Sequence, residues 1–228
     1  EMVSTLREFR RALKGLVLMS ADLDQLGKEM YNNFVPTLWG AKGFLSLKPL
    51  SAWIYELIER IEFLDDWFKN GTPPVYWVSG FFFPQAFLTG TLQNYARKVQ
   101  VAIDTISFGF DILDVKSKDI TEAPEAGAII FGLLVEGARW DPEEKSLVES
   151  RAKELFTDFP VIHLVPTVNR KVPEGVYKCP VYKTLTRAGT LSTTGHSTNF
   201  VLPIEIPSNV PIEHWIKRGV ACVLGLNF

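Results

Sequence analysis

Near residue 105 the hydrophobic pattern of the sequence changes its period, and that change limits the fold to helices first and strands afterwards. Before it, apolar residues recur at three- and four-residue spacing, as one buried face of a helix requires. After it they come in short β-rich runs divided by Pro, Gly and charged turns.

In the helical half, Leu6, Phe9, Leu13, Leu16 and Val17 mark one side of a first helix, and Arg7, Arg10, Arg11 and Lys14 line another. That basic stripe reads as a solvated face or as a docking surface for an acidic neighbour. Ser20 is placed to cap a second helix running to about Tyr31, with Pro36 closing it off. Leu50, Trp53, Ile54, Leu57, Ile61, Leu64, Trp67 and Phe68 predict a long third helix from Pro49 to Lys69, stopped by Gly71 and by Pro73-Pro74. Its carboxylates Glu56, Glu59 and Glu62, three apart, read as the outer, solvated side. Pro84 suits the start of a further helix whose buried stripe is Phe87, Leu88, Leu92 and Tyr95. The aromatics from Tyr76 to Phe87 read as core or interdomain packing rather than as a ligand cage.

In the strand half the runs are SFGFDIL, AIIFGLLVE, FPVIHLVP, YKCPVYKT, NFVLPIEI and GVACVLGL. Six such runs predict a small sandwich or barrel. Between the second and third, DPEEKSLVES predicts a short helix with Asp141 as N-cap, Pro142 first inside and Glu144 as the capping partner. PIEHWIKRG predicts one more helical excursion before the last strand. The fold class is α+β, with a helical subdomain over 1–105 and a β subdomain over 106–228.

Composition excludes several functions. A hydrophobic content of 46% with 22% charged residues is that of a folding globular protein. The net charge of -2 divides into +1 over residues 1–100 and -3 over the rest, which leaves no broad footprint for nucleic acid or anionic lipid. The most apolar stretch, 75–92, is broken by Ser79, Gly80, Pro84, Gln85, Thr89 and Gly90 and predicts no membrane span. The N-terminus has no signal-peptide pattern, and the chain reads as a piece of something larger. Cys179 and Cys222 lie in β-like apolar runs without metal spacing, so buried thiols are expected and no disulfide.

Catalytic patterns are weak. No G-x-x-x-x-G-K-[ST] or G-x-G-x-x-G occurs, so no P-loop is present. Gly195-His196-Ser197-Thr198-Asn199 begins like a nucleophile elbow but ends in Asn and joins two strands, and Ser197 has His196 only as an immediate neighbour. Ser192, Thr193 and Thr194 with Gly189 and Gly195 read more simply as a turn between strands. His163, His196 and His214 have no metal-ligand spacing. Arg139 and Asp141, on either side of Trp140, read as a strand end and cap. No catalytic, cofactor or metal residue is expected.

The segments ALKGLVLMSADLDQL, SLKPLSAW, PPVYWVSGFFFPQAFLTGTLQNYARK, GLLVEGARWD, CPVYKT, TLSTTGHSTNFV and HWIKRGVA, taken in order from about Arg11 to Leu226, resemble the C-terminal region of dynein heavy chains. CPVYKT and TLSTTGHSTNFV look like the axonemal type, most like inner-arm chains. The resemblance implies helices followed by a six-stranded antiparallel β-barrel, lying on a ring of AAA+ modules in the same polypeptide, with residues 1–20 either in the domain or linking to the last module. It further implies a non-catalytic, regulatory segment in the cytoplasm, at the axoneme of a cilium or flagellum. ATP and Mg would belong to the ring, and microtubules would be gripped by a distant stalk. On that reading Arg7, Arg10, Arg11 and Lys14, together with Tyr76, Trp77, Phe81 and Phe82, are the candidate ring-facing residues. A stand-alone small-ligand-binding barrel and a hydrolase built on Ser197 are the competing expectations.

Overall fold

The computed structural model describes residues 1–44, 46–187, 189 and 198–225. Its packing divides the chain into two compact units, Glu1–Glu62 and Phe63–Gly225, so the division falls inside the long helix and not at the change of period.

The first unit holds α1 (Met2–Leu13), α2 (Ala21–Tyr31), the single turn α3 (Thr37–Gly40) and the first part of α4 (Leu50–Asn70). Ser20 caps α2 as its position predicts, its Oγ accepting the Leu23 amide at 3.3 Å. Pro36 does not close α2, which ends at Tyr31 with Asn32 as its C-cap; it is the N-cap of α3, where a missing N–H costs nothing. Leu23, Leu26, Trp39, Phe44 and Trp53 form the core, with Phe44 stacked on Trp53 at 5.2 Å and the Trp39 indole donating to Thr5 Oγ1 at 3.0 Å.

Two expectations fail in this unit. The apolar side of α1 is not buried as a whole: Ala12 is buried, Phe9 and Val17 pack partly, and Leu6, Leu13 and Leu16 stay exposed. On α4 the inward stripe is Trp53, Glu56 and Arg60, while Ile61 and Phe68 face out. The carboxylates three apart do not share one face, because each step of three turns about 300°, so Glu56 and Glu62 point some 120° apart. Glu56 is held inside by Arg60, whose Nε donates to Oε1 at 3.0 Å, and by Lys48, whose Nζ lies 2.8 Å from Oε2. The Arg60 guanidinium also lies over the Phe44 ring, 3.8 Å from its centroid.

The second unit continues with β1 (Tyr76–Trp77), α5 (Pro84–Val99), β2 (Ile106–Leu113), β3 (Ala128–Phe131), β4 (Leu134–Glu136), β5 (Ala138–Asp141), β6 (Ser146–Glu149), β7 (Phe156–Asp158), β8 (Val161–Val168), β9 (Val176–Tyr182), β10 (Phe200–Pro207), α6 (Ile212–Arg218) and β11 (Ala221–Val223). Each of the six β-rich runs contains a strand, but eleven strands form among the described residues. AIIFGLLVE is divided into β3 and β4 by Gly132, whose φ of +94° suits glycine and whose backbone lies so close to Trp77 that a Cβ would sit 2.7 Å from the indole.

The expected helix over DPEEKSLVES is a β-hairpin instead. Asp141 Oδ1 accepts the amides of Glu143 and Glu144, as an N-cap would, but Lys145 takes φ +49° and turns the chain back so that Ser146–Glu149 pair with Ala138–Asp141. The capping chemistry was legible; its use in a turn was set by the strand partner.

The strands make two larger sheets, β1-β3-β8-β2 and β10-β9-β11-β4-β7, beside the β5-β6 hairpin. The expectation of a purely antiparallel set is corrected: β1 runs parallel to β3, and β11 runs parallel to β9. Ile130, Ile162, Leu164, Val181, Ile206 and Cys222, from both sheets, belong to one core together with Leu88 of α5 and Trp215 of α6. β2 and β10, the end strands of the two sheets, approach one another without ladder pairing among the described residues. Arg170 lies at that seam, paired with Glu205 through Nη1 at 3.0 Å and Nη2 at 2.5 Å, and beside Gly109 of β2.

Candidate docking surfaces

Arg7, Arg10, Arg11 and Lys14 project from α1 as their spacing predicts, all exposed, and none joins an ion pair among the described residues. Arg10 and Arg11 lie in the last turn, where the helix dipole favours cations. That local benefit does not extend to Arg7. Beside the cations stand the exposed Leu6 and Leu13, so α1 carries uncompensated charge and uncovered apolar surface together.

The predicted aromatic set divides. Tyr76, Trp77 and Phe81 belong to a half-buried cluster with Phe63, Trp67 and Phe87. Phe81 stacks on Phe87 at 4.4 Å, Tyr76 lies 4.8 Å from Phe87 and 5.2 Å from Trp67, and Phe63 meets Trp77 at 6.2 Å. Burial in this cluster raises the Tyr76 phenol above its ordinary pKa. Phe82 and Phe83 are the exposed members of the stretch.

Among the described residues, the second unit has an open groove and a cleft. An open groove of 820 Å³ is bounded by β9, α6 and the 172–175 turn, with Val172, Ile212 and Ile216 exposed along it. Its polar side chains are largely committed: Tyr177 donates its hydroxyl to Val220 O at 2.7 Å, and Arg187 bonds Gly219 O at 2.9 Å and the Glu136 carboxylate. A cleft of 400 Å³ lies between one face of α5 and the 124–128 segment, where Lys98 Nζ donates to Glu125 O at 3.0 Å and His163 Nε2 sits 2.9 Å from Ala126 O.

The residues weighed for chemistry are placed in structural roles or lie elsewhere. Ser192, Thr193, Thr194, Gly195, His196 and Ser197 fall outside the described residues. His214 pairs with Glu149, which also takes Arg218 at 3.0 Å and so ties α6 to β6. The Glu144 amide, working against a smaller opposing effect of burial and aided by Arg139, holds the Asp141 carboxyl below the usual range. Cys179 and Cys222 are buried on adjacent strands with their sulfurs 3.6 Å apart. The hydrogen bond between them, and then burial, hold the Cys222 thiol well above the usual cysteine pKa. Among the described residues no group of His, Cys, Asp or Glu converges as metal ligands, and no helix is long and apolar enough to cross a membrane.

Sequence reasoning missed one arrangement that explains two of the quoted motifs. Asn199, fully buried, accepts the amides of Lys183 at 2.8 Å and Thr184 at 3.0 Å through Oδ1 and donates Nδ2 to Thr184 Oγ1 at 2.8 Å. Thr184 closes CPVYKT and Asn199 sits in TLSTTGHSTNFV, so the motifs meet at the base of the connection between β9 and β10. An Asn immediately before an apolar run was the available signal.

Helices followed by sheets, with an exposed basic face on α1, are the architecture against which the comparisons with known proteins are set. The chain belongs to the family formed by the C-terminal domain of the dynein heavy chain, whose family model matches residues 1–224. It is 57% identical over 228 residues to dynein axonemal heavy chain 1 of Rattus norvegicus, covering 100% of this chain and 5% of that protein. It is 46% identical to dynein axonemal heavy chain 3 of Mus musculus and 44% identical to dynein axonemal heavy chain 12 of Rattus norvegicus, each over 98% of this chain. The chain thus spans about a twentieth of the length of the heavy chain 1 relatives it matches.

Proposed function

We propose that the chain is the C-terminal domain of an axonemal dynein heavy chain, of inner-arm type, acting in the cytoskeleton of cilia and flagella. On this reading it packs on the AAA+ ring of the same polypeptide and biases the ring's conformational changes, and so modulates microtubule-based motility. ATP with Mg, and microtubule binding through a stalk, belong to the rest of the heavy chain; this domain supplies contact and no bond-making step.

The observation that carries the reading is α1, where Arg7, Arg10, Arg11 and Lys14 stand unpaired beside exposed Leu6 and Leu13. An uncompensated cationic and apolar face is stabilised when an acidic module covers it. If the ring meets that face better in one conformation than in another, the difference shifts the ring's populations, by tenfold for each ~1.4 kcal/mol. Phe82, an exposed member of the aromatic stretch, is the second ring-facing candidate. The two sheets are further read as one split six-stranded barrel of β2, β3 with β4 as a single bent strand, β8, β9, β10 and β11, with β1 and β7 as short additions to it, which their common core and the approach of β2 to β10 support.

The test is charge reversal of Arg7, Arg10 and Lys14 to Glu in the full heavy chain, with the domain's position on the ring read by electron microscopy and motility by microtubule gliding. Loss of the docked position with altered gliding supports the reading; unchanged position and gliding refute it. The groove beside α6 is the observation that favours a stand-alone ligand-binding module instead. That reading requires saturable binding of an apolar small molecule, abolished by Ile216→Asp.

A further inference from the structure

The geometry points to a second docking surface, the outward side of α4 between Tyr55 and Glu62, which takes a basic amphipathic helix from the part of the heavy chain outside these 228 residues. It rests on the chain being part of a longer heavy chain and is independent of the role given to α1.

Within the first unit α4 turns Trp53, Glu56 and Arg60 inward, so a helix of 3.6 residues per turn sends Tyr55, Ile58, Ile61 and Glu62 the other way. Tyr55 is 73% exposed, Ile58 47% and Ile61 53%. Three large apolar side chains at this spacing form a ridge of the kind that packs into the groove of another helix. A helix face that only met water would carry polar residues at these positions.

The flanking charges define the occupant. Glu59 and Glu62 border the ridge, both exposed, and neither joins an ion pair among the described residues. Glu56, in contrast, is neutralised by Lys48 and Arg60, and Asp65 farther along takes Lys69 at 2.5 Å. The ridge is therefore apolar with uncompensated negative edges. Such a face repels nucleic acid and anionic lipid and fits an apolar stripe flanked by Lys or Arg. The heavy chain 1 relatives extend far beyond the 5% of their length matched here, so the same polypeptide supplies ample sequence for that helix.

The experiment uses the intact heavy chain. A carbodiimide joins a carboxylate to an amine in contact with it, and mass spectrometry identifies the partner. The expected product links Glu59 or Glu62 to a lysine outside residues 1–228, in a segment with apolar residues at helical spacing, and it disappears in the Glu59→Gln/Glu62→Gln variant. In parallel, hydroxyl-radical oxidation of Tyr55 is expected to be suppressed in the intact protein and to rise by about tenfold in Glu59→Lys/Glu62→Lys, since two reversed exposed pairs together amount to roughly one decade. These positions are solvent-facing, so the variants retain the fold. A link to a separate protein, a link to a second copy of α4's own domain, or Tyr55 oxidising in the intact protein as fast as in the reversed variant overturns the proposal. Reversal of the α1 charges that leaves the α4 link in place separates this surface from the first.

Discussion

Replacing Glu56 by Ala tests whether α4 is held by its buried charges. In the native protein the Arg60 side chain is only 6% exposed and Glu56 10%, while Lys48 is 22% exposed. Burial is the largest influence on Arg60 and pulls its pKa down; the hydrogen bond and charge of Glu56 oppose it. Glu56→Ala removes that opposition and leaves the guanidinium inside the unit without its carboxylate, still over the Phe44 ring. Lys48 turns out to water, whereas Arg60 is enclosed and does not. Breaking a buried pair from one side costs about 3 to 5 kcal/mol. The lower end applies because the ring face still attracts the cation, so about 3 kcal/mol is expected. Native-state hydrogen exchange of the amides around residues 53–60 reads this as a fall in protection of about a hundredfold. Glu56→Leu/Arg60→Met, which removes both charges, should come back to within about 1 kcal/mol of the native protein. A single-substitution cost under ~1 kcal/mol, or a double variant no better than the single one, refutes the reasoning.

Gly127→Ala is expected to destabilise the second unit by ~3 kcal/mol or more in urea unfolding, because Gly127 has φ +80° and a Cβ there would lie 1.9 Å from Leu164 O. Tyr177→Phe leaves the buried Val220 carbonyl without its hydroxyl donor and should cost about 1 to 2 kcal/mol by the same measurement; a neutral result would show that carbonyl to be satisfied otherwise. Burial is the largest single influence on Glu29 and pushes its pKa up, but bonds from Thr37 Oγ1, Gln25 Nε2 and the Thr37 amide together outweigh it and depress the pKa. A depressed folded pKa gives stability that is complete above the ordinary glutamate range and lost as pH falls through the folded value, so the protection of the Thr37 amide, taken relative to its intrinsic exchange rate at each pH, should fall on acidification below that range. Glu29→Gln should flatten that dependence.

The long helix, its Gly71 stop, the Ser20 cap, the Pro84 start and all six β-rich runs were legible because each is written locally, in period, cap or turn residues. The features that escaped depend on partners distant in sequence. Two residues, Tyr76 and Trp77, carry no period at all and become a strand only because β3 lies alongside. Asp141 has the side chain of a helix cap, yet the cross-strand alternative for Ser146–Glu149 turned it into a hairpin residue. Glu56 sits in a run of acids that looks solvated until Lys48 and Arg60 are brought to it. The docking surfaces show the same division: spacing placed Arg7, Arg10, Arg11 and Lys14 on one side of α1, but an amphipathic pattern says which side chains favour burial, not what covers them. Leu13 and Leu16 obey the pattern and remain in water within this chain.

The seam between β2 and β10 bears on how such a part would respond to load. Within each of the two larger sheets, neighbouring strands are stitched by main-chain ladders, which resist shear until several bonds break at once. Between β2 and β10 no ladder forms among the described residues; Arg170, just beyond β8 and beside Gly109 of β2, forks onto Glu205 of β10, with the shared core behind it. A pull along that line would exchange ion-pair and apolar contacts a few at a time, so this joint gives way in small steps and recovers without loss of strand register.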